Sequence, residues 1–253
     1  MNCSTSIIGC DHGTHVASIA VGSSSSLKGV ARGAKLIAVK VFSRSDSPLD
    51  CGFAPTPCLL AYYSDIIRGL ERVYALRLKF NIASANMSLG GGLFSSNCDN
   101  SSPAIKAVKA VIDKLRAAKI ASVIASGNNG SNGSVSAPGC ISTAVTVGST
   151  TKADQVSSFS NHAALVELMA PGSNILAAVP GGRARKNGTS MATPHVAGAW
   201  AILKQSKPSA SVSEVLKALA CTGVPVSRAG ITKPRIDVLA ALNVLRSPAP
   251  ACQ

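Results

Sequence analysis

The run GTSMATPHVAG, Gly188–Gly198, sets one hydroxyl, that of Ser190, among residues too small to block an approaching molecule. A helix is expected almost at once, with Pro194 in its first turn, where a missing N–H costs nothing. From Met191 to Leu203 the residues are apolar nearly all round, the pattern of a buried helix. The layout puts a serine at the positive end of a buried helix dipole. That suits a nucleophile; the plainer alternative is a helix entry in which a serine serves only as a cap.

Outward from that helix, short aliphatic runs alternate with longer helical ones. Strands are expected at Lys35–Phe42, Ile82–Ser88, Ile120–Ser126 and Ile141–Gly148, with shorter ones near Leu165–Met169 and Ile175–Val179. The first three are continuous apolar runs, as parallel strands buried on both faces are. Helices are expected at His12–Val21, Leu59–Leu78, Pro103–Lys119, Ser190–Lys204, Val212–Ala220 and Ile236–Leu245. The Pro103 helix has the clearest signature. Ser101 or Ser102 can cap it, Pro103 opens it, and Ile105, Val108, Ile112 and Leu115 form a stripe opposite Lys106, Lys109, Lys114, Arg116 and Lys119. The alternation reads as βαβ units in one doubly wound α/β domain, a mainly parallel sheet with helices on both faces. Ser43–Pro57 and Gly127–Gly139 read as loops, and the tail from Ser247 as an unstructured end.

A chain of 253 residues can bury one sizeable core, and 46% hydrophobic against 4% aromatic residues makes that core aliphatic. No apolar run is long enough for a membrane span, and Met1 is followed by Asn2, Cys3 and Ser4 rather than by the basic start and apolar stretch of a signal peptide. Lys and Arg number 25 against 11 acids, a net charge of +14 that could attract polyanions. The bases are scattered and few aromatics are available to stack on bases of nucleic acid, so neither nucleic acid nor membrane is expected as a partner. Eight cysteines, with no CxxC pair, point to disulfides in an oxidising compartment, hence a secreted, extracellular protein. Spacing does not choose the pairing, and small buried hydrophobes are the alternative. Cys51 and Cys58, seven apart in one Pro-rich loop, are candidates for a local bridge.

A serine needs a base to take its proton. The chain has four histidines, His12, His15, His162 and His195. Two lie in HGTHVAS, where His12 stands at a helix start with its ring able to point outward and His15 one turn in, packed. A metal site of the HExxH kind would want a spacing of four with a glutamate between, which this run lacks, so no metal ligands are expected there. Acyl transfer also needs donors where an oxyanion forms. In IASVIASGNNG a buried strand ends at Ser126, Gly127 frees the backbone and Asn128 follows. Its amide could complete an oxyanion hole with the N–H of Ser190, or the Asn-Asn-Gly run could be an ordinary turn.

Taken together, HGTHVAS at His12, NMSLGGG at Asn86–Gly92, ASGNNG at Asn128 and GTSMATPHVAG at Ser190 resemble, in order, the subtilisin-like serine proteases, the subtilases. VTVGS, SSFSN, MAPG and RIDVLAALNVL resemble the same family's segments, so the likeness covers about residues 7–246. It implies a serine endopeptidase acting on proteins or peptides, with Ser190 as nucleophile, His12 as general base and Asn128 in the oxyanion hole. It also implies that Ser88, Leu89 and Gly90 pair with the substrate backbone while Ala125, Ser126 and Gly127 form the facing wall. Both walls are small and uncharged, which suits an apolar residue before the cleaved bond; Leu89 and Ala125 as plain core residues are the alternative. By the same likeness Cys98 pairs with Cys140 and braces both walls. No cofactor is expected; a structural calcium would follow from the resemblance alone, since the acids show no dense cluster.

The family orders its triad Asp, His, Ser, with the aspartate on a strand well before the histidine. Here only 11 residues precede His12, and none forms the Asp-Thr-Gly or Asp-Ser-Gly run. Asp11 adjoins His12 but neighbours at a helix start do not face each other. The expectation is therefore a partial catalytic domain over residues 1–246 whose sheet lacks its first strand. It would be monomeric, the product of a longer precursor with an N-terminal propeptide or of a gene that lost its first segment, folding poorly and turning over feebly. An inactive chain of the same fold and, from another class, a basic nucleic-acid-binding protein are the alternatives.

Overall fold

Aliphatic runs without polar alternation need a neighbour on each face, and most of them find one. The computed structural model describes residues 7–52 and 55–247. In chain order the elements are α1 (His12–Val21), β1 (Ser43–Ser45), β2 (Cys58–Leu60), α2 (Tyr63–Leu76), β3 (Ser84–Met87), β4 (Gly91–Phe94), α3 (Pro103–Ala117), β5 (Ala121–Ala125) and β6 (Val135–Ala137). There follow β7 (Val145–Thr150), β8 (Leu168–Pro171), β9 (Ile175–Val179), β10 (Gly182–Lys186), α4 (Thr189–Ser206), α5 (Val212–Thr222), β11 (Val224–Arg228), β12 (Ile231–Arg235) and α6 (Val238–Arg246).

Six strands form the main sheet in the order β11-β12-β8-β7-β5-β3, parallel throughout except for the β11–β12 hairpin. The period of two along β5 sends alternate side chains to two cores. Ile124 joins Ile105, Val108, Ile112 and Leu115 of α3 on one face, and Val123 joins Val196, Trp200 and Leu203 of α4 and Leu219 of α5 on the other. This is the doubly wound α/β architecture read from the sequence. α3 begins as expected: the Ser102 hydroxyl accepts from Ile105 N at 3.2 Å and Pro103 opens the helix. At α5 the Ser211 hydroxyl and the Glu214 carboxylate close a reciprocal cap. No helix among the described residues is long and apolar enough to cross a membrane.

Several expectations shift. Lys35–Phe42 is not a strand: it belongs to no ladder, and Leu36 is 55% exposed. It packs on α2 through Val39 and Val41, whose methyl groups lie against Gly69, but no strand lies within hydrogen-bond reach to pair with it. The helix expected from Leu59 starts at Tyr63, because Cys58–Leu60 pairs with Ser43–Ser45 inside the expected loop. The Ile141 strand begins only at Val145. β4, β6, β10, β11 and β12 are strands the sequence did not lead one to expect, β6 lying inside the expected Gly127–Gly139 loop where it pairs with β4; Arg, Lys and Pro interrupt the patterning of the last three. The turn from β11 to β12 uses Ala229 and Gly230, both at positive φ (51° and 76°), as a two-residue hairpin requires. The expected tail lies, beyond Ser247, outside the described residues. Cys51 is bonded to Cys58 and Cys98 to Cys140, and Cys10 and Cys221 are disulfide-bonded as well.

Candidate active site

The carboxyl ends of β3 and β5 and the start of α4 meet at one cavity, the place where open parallel sheets carry their sites. His12, Ser88, Leu89, Gly90, Ala125, Gly127, Asn128 and Ser190 all line it. Ser126 does not: it is fully buried and its hydroxyl donates to the Asn161 carbonyl oxygen at 2.9 Å, so it supports the wall from behind. Leu89 leans on the core under α2 and α3, and Ala125 is 4% exposed.

Ser190 stands in the first turn of α4, where its N–H has no intrahelical acceptor and the helix dipole is positive. Pro194 lies in the second turn rather than the first. Its missing N–H therefore leaves the Ser190 carbonyl without its helical donor, and the Ser88 hydroxyl donates there instead at 2.8 Å. The Asn86 amide in turn donates to Ser88 Oγ at 3.0 Å. A proline that would cost an internal helix a hydrogen bond thus ties the nucleophile's backbone to the end of β3. Ser190 Oγ itself donates to the Ser88 carbonyl oxygen at 3.5 Å and has no hydrogen bond with His12 among the described residues. Such bonds commonly close only when substrate is present.

Asn128 is held by one neighbour. Its Oδ1 accepts from the Thr189 N–H at 2.8 Å and the Thr189 hydroxyl at 2.9 Å. Only the carbonyl oxygen can accept both, so the amide's orientation is settled by its partners and Nδ2 is left as a donor beside Gly188 and Ser190. The same hydroxyl accepts from Gly127 N at 3.2 Å. Behind it, fully buried Asn161 accepts from Asn129 N at 3.0 Å and Ser131 N at 3.1 Å, and donates to the Ser126 carbonyl oxygen at 3.0 Å. Gly127 has φ +106°, and a Cβ there would collide with Asn161 and Ser136. Sequence reasoning missed Thr189 and Asn161 as positioning residues, although both stand inside motifs already quoted.

His12 is the first residue of α1 and the only histidine on the cavity. Burial holds its pKa below the usual imidazole value; the charges of Lys186 and His15 push the same way, and Asp11 opposes them weakly. The Asp11 carboxylate is turned to Lys186 Nζ at 2.8 Å, a bond that holds it below the usual carboxylate range. The other histidines are structural in their contacts. His15 is fully buried with Nε2 3.1 Å from both the Ile175 and Ala184 carbonyl oxygens, tying α1 to the β9–β10 hairpin. His162 Nε2 meets Ile231 O at 2.9 Å, and His195 Nδ1 meets Met191 O at 2.8 Å. All 11 acids of the chain are among the described residues, and none lines the cavity. No group of three His, Cys, Asp or Glu able to hold a metal ion occurs among the described residues.

The disulfide from Cys98 to Cys140 joins the loop after β4 to the turn after β6, and β4 pairs with β6. The two walls are thereby linked at their outer ends. Asp99 reinforces the joint, accepting from Ser142 N at 2.9 Å and Ser142 Oγ at 2.7 Å.

Comparison with known proteins agrees with this arrangement. A family model described as "Subtilase family" matches residues 9–233. Subtilisin E of Bacillus subtilis (strain 168) is 36% identical over 220 residues, 85% of this chain but 51% of that protein, so the chain spans about half its length. A cold adapted subtilisin-like serine proteinase of known structure is similar with a TM-score of 0.69 at 32% identity, covering 88% of this chain and 73% of the other. A mutant of the protease domain of PatA is similar with a TM-score of 0.77 at 26% identity, covering 96% and 83% respectively.

Proposed function

We propose, because this chain belongs to the subtilase family, that it carries the acyl-transfer machinery of a serine endopeptidase. Ser190 Oγ attacks the scissile carbonyl carbon while His12 takes its proton. The Ser190 N–H and Asn128 Nδ2 receive the negative charge that develops on the carbonyl oxygen. His12 then gives the proton to the departing amine, and water, activated by the same imidazole, releases the acyl group from Ser190. The observation that carries this reading is the Thr189 clamp. It aims an amide donor into the space beside a nucleophile whose own N–H is free, on a cavity that also holds an imidazole.

Ser88–Gly90 and Ala125–Gly127 would hold an extended substrate by its main chain, with a preference for an apolar residue before the cleaved bond. His12 kept neutral by burial is in the form a base needs. No carboxylate of the chain is hydrogen-bonded to it, however, and Asp11, turned to Lys186, stabilises its cation only weakly, so the turnover of this polypeptide alone is small. That same observation favours a second reading, a subtilase fold without catalysis. We place the protein outside the cell, as a monomer acting without cofactor, nucleic acid or membrane. Cleavage of an internally quenched apolar peptide tests the proposal. It should be measurable with the chain and absent in both Ser190→Ala and His12→Ala. Equal cleavage by Ser190→Ala refutes it.

A further inference from the structure

We propose that Asp11 and Lys186 are a positioning pair for His12: their ion pair bolts the helix start that carries the imidazole to the strand that runs on into Ser190. Asp11 is the N-cap of α1, the residue whose carboxylate ordinarily accepts from the N–H groups of the first turn. It makes no such bond. Its Oδ1 accepts instead from Lys186 Nζ at 2.8 Å, across 175 residues of chain, at the last position of β10. The Asp11 and Lys186 side chains are 29% and 26% exposed, so the pair is better shielded than the open surface pairs that contribute little.

The pair is the outermost of three bonds along one face of α1, since positions 11, 15 and 18 follow the helical spacing. His15 Nε2 stands 3.1 Å from the Ile175 and Ala184 carbonyl oxygens, and Ser18 Oγ accepts from Ala178 N at 2.9 Å. Val16 and Ile19 pack on Ala177 and Met191 beside them. All three bonds go to the β9–β10 hairpin, and of the three residues only Asp11 adjoins His12. From Lys186 the connection to the nucleophile is short and tied down. Asn187 Oδ1 accepts from Asn174 N at 2.6 Å, Gly188 N donates to the Gly172 carbonyl oxygen at 2.9 Å, and Ser190 follows two residues on. His12 and Ser190 share no hydrogen bond among the described residues, and this lacing holds the distance between them.

The pair also sets the charge beside the imidazole. Lys186 of β10 and Asp11 and His15 of α1 act on it. β9 carries no charge. Arg183 and Arg185 lie on the opposite face of β10 from Lys186, and Arg185 donates to the Asn174 carbonyl oxygen at 3.0 Å. α4 brings only His195 to this end, its Nδ1 at the Met191 carbonyl oxygen. With both partners in place the charges of Asp11 and Lys186 partly offset each other at His12; when one is lost the other acts alone.

The consequence for catalysis rests on the proposed acyl-transfer reading; the pair itself does not. The test follows the rate of fluorophosphonate reaction at Ser190 against pH. It also follows the His12 titration by NMR in Ser190→Ala chains carrying carbon-labelled histidine, with His12→Ala identifying the signal. Lys186→Met and Asp11→Asn should each lower the plateau rate about tenfold or more, as misplacement of a reacting group does. The double variant should lose no more than either single one. The midpoints of the rate profile and of the His12 titration should move up in Lys186→Met, where Asp11 is left alone, and down in Asp11→Asn, where Lys186 is. Lys186→Arg, which still holds the carboxylate, should restore plateau and midpoint. A role in folding alone lowers both melting temperatures without moving the midpoints apart. If Lys186→Met lacks a cooperative melt, Lys186→Gln is read in its place, with the same shifts expected. An unchanged plateau in either single variant, midpoints that move together, or a double variant that loses the sum of the two overturns the pair. Absence of Ser190 labelling in the unsubstituted chain refutes the acyl-transfer reading instead. Opposite His12 shifts by NMR then still uphold the pair, and parallel or absent shifts overturn it.

Discussion

The run ASVIA, Ala121–Ala125, and the run KLIAVKVF, Lys35–Phe42, are both aliphatic, yet the first is buried at every position and the second leaves Leu36 and Ile37 in solvent. β5 has β3 on one side and β7 on the other, and helices over both faces. Lys35–Phe42 has α2 against one face and no ladder partner. Composition makes a run eligible to be a strand; a neighbour's N–H and C=O groups make it one. The molecule is thus well built from β5 toward β12 and open from β3 toward α1, and the proposed chemistry sits on that boundary.

Substitutions of one kind on the two runs test the contrast. Ile124→Ala in β5 should lose about 2–5 kcal/mol of unfolding free energy in urea, since it leaves a cavity between sheet and α3. Ile37→Ala should change it by less than about 0.5 kcal/mol. Comparable losses at both positions would mean that the Lys35–Phe42 run is packed after all.

At the boundary, the oxyanion donor should matter next. Asn128→Ala should slow acylation of Ser190 by about 10²–10³, the range known for the equivalent donor of subtilisin. Thr189→Val, which keeps the shape but removes the hydroxyl, should slow it about tenfold by loosening the amide. Thr189→Ser should restore the rate. A Thr189→Val chain that acylates normally would show that Asn128 is aimed without help.

The disulfide that links the two walls closes a long loop, so the Cys98→Ser, Cys140→Ser pair should cost about 2–4 kcal/mol in thermal or urea unfolding. Unchanged stability would mean that β4–β6 pairing alone holds the walls.

The smallest effect is with pH. His12, His15, His162 and His195 are all held below 6.5 by burial, so the unfolded chain takes up protons first. Stability should be full above pH 6.5 and fall as the pH drops through the folded values. The exposed Glu214 cap acts in a lower window. Its pKa is lowered from 4.5 to about 2, chiefly by hydrogen bonds from Ser211, so its contribution is present above pH 4.5 and is lost as the pH falls through about 2. Melting temperatures read from pH 8 to pH 3 should show the histidine-linked decline first. A flat profile between pH 7 and 5 would contradict it.

What was legible in the sequence follows the same division. α3 could be read because Ser102, Pro103 and a lysine-backed apolar stripe all state the same helix. The Ser190, Asn128 and His12 motifs could be read because their spacing and small neighbours leave little else for them to do. Lys35–Phe42 misled because an apolar run does not record whether its partner is present. β10, with Arg183, Arg185 and Lys186, hid because a wet hairpin needs only a turn and one buried side. Thr189 and Asn161 escaped because one hydroxyl or amide looks alike in a cap, a turn or a clamp until its partners are known. Pro194 was misplaced by a turn, and only the structure shows its freed carbonyl passing to Ser88.

The central claim is that Ser190 is an activated nucleophile. Reaction of the folded chain with a fluorophosphonate, followed by peptide mapping, tests it most directly. The account predicts one adduct, on Ser190, lost in Ser190→Ala and slowed in His12→Ala and Asn128→Ala. Absence of the adduct on a chain that melts cooperatively would contradict it.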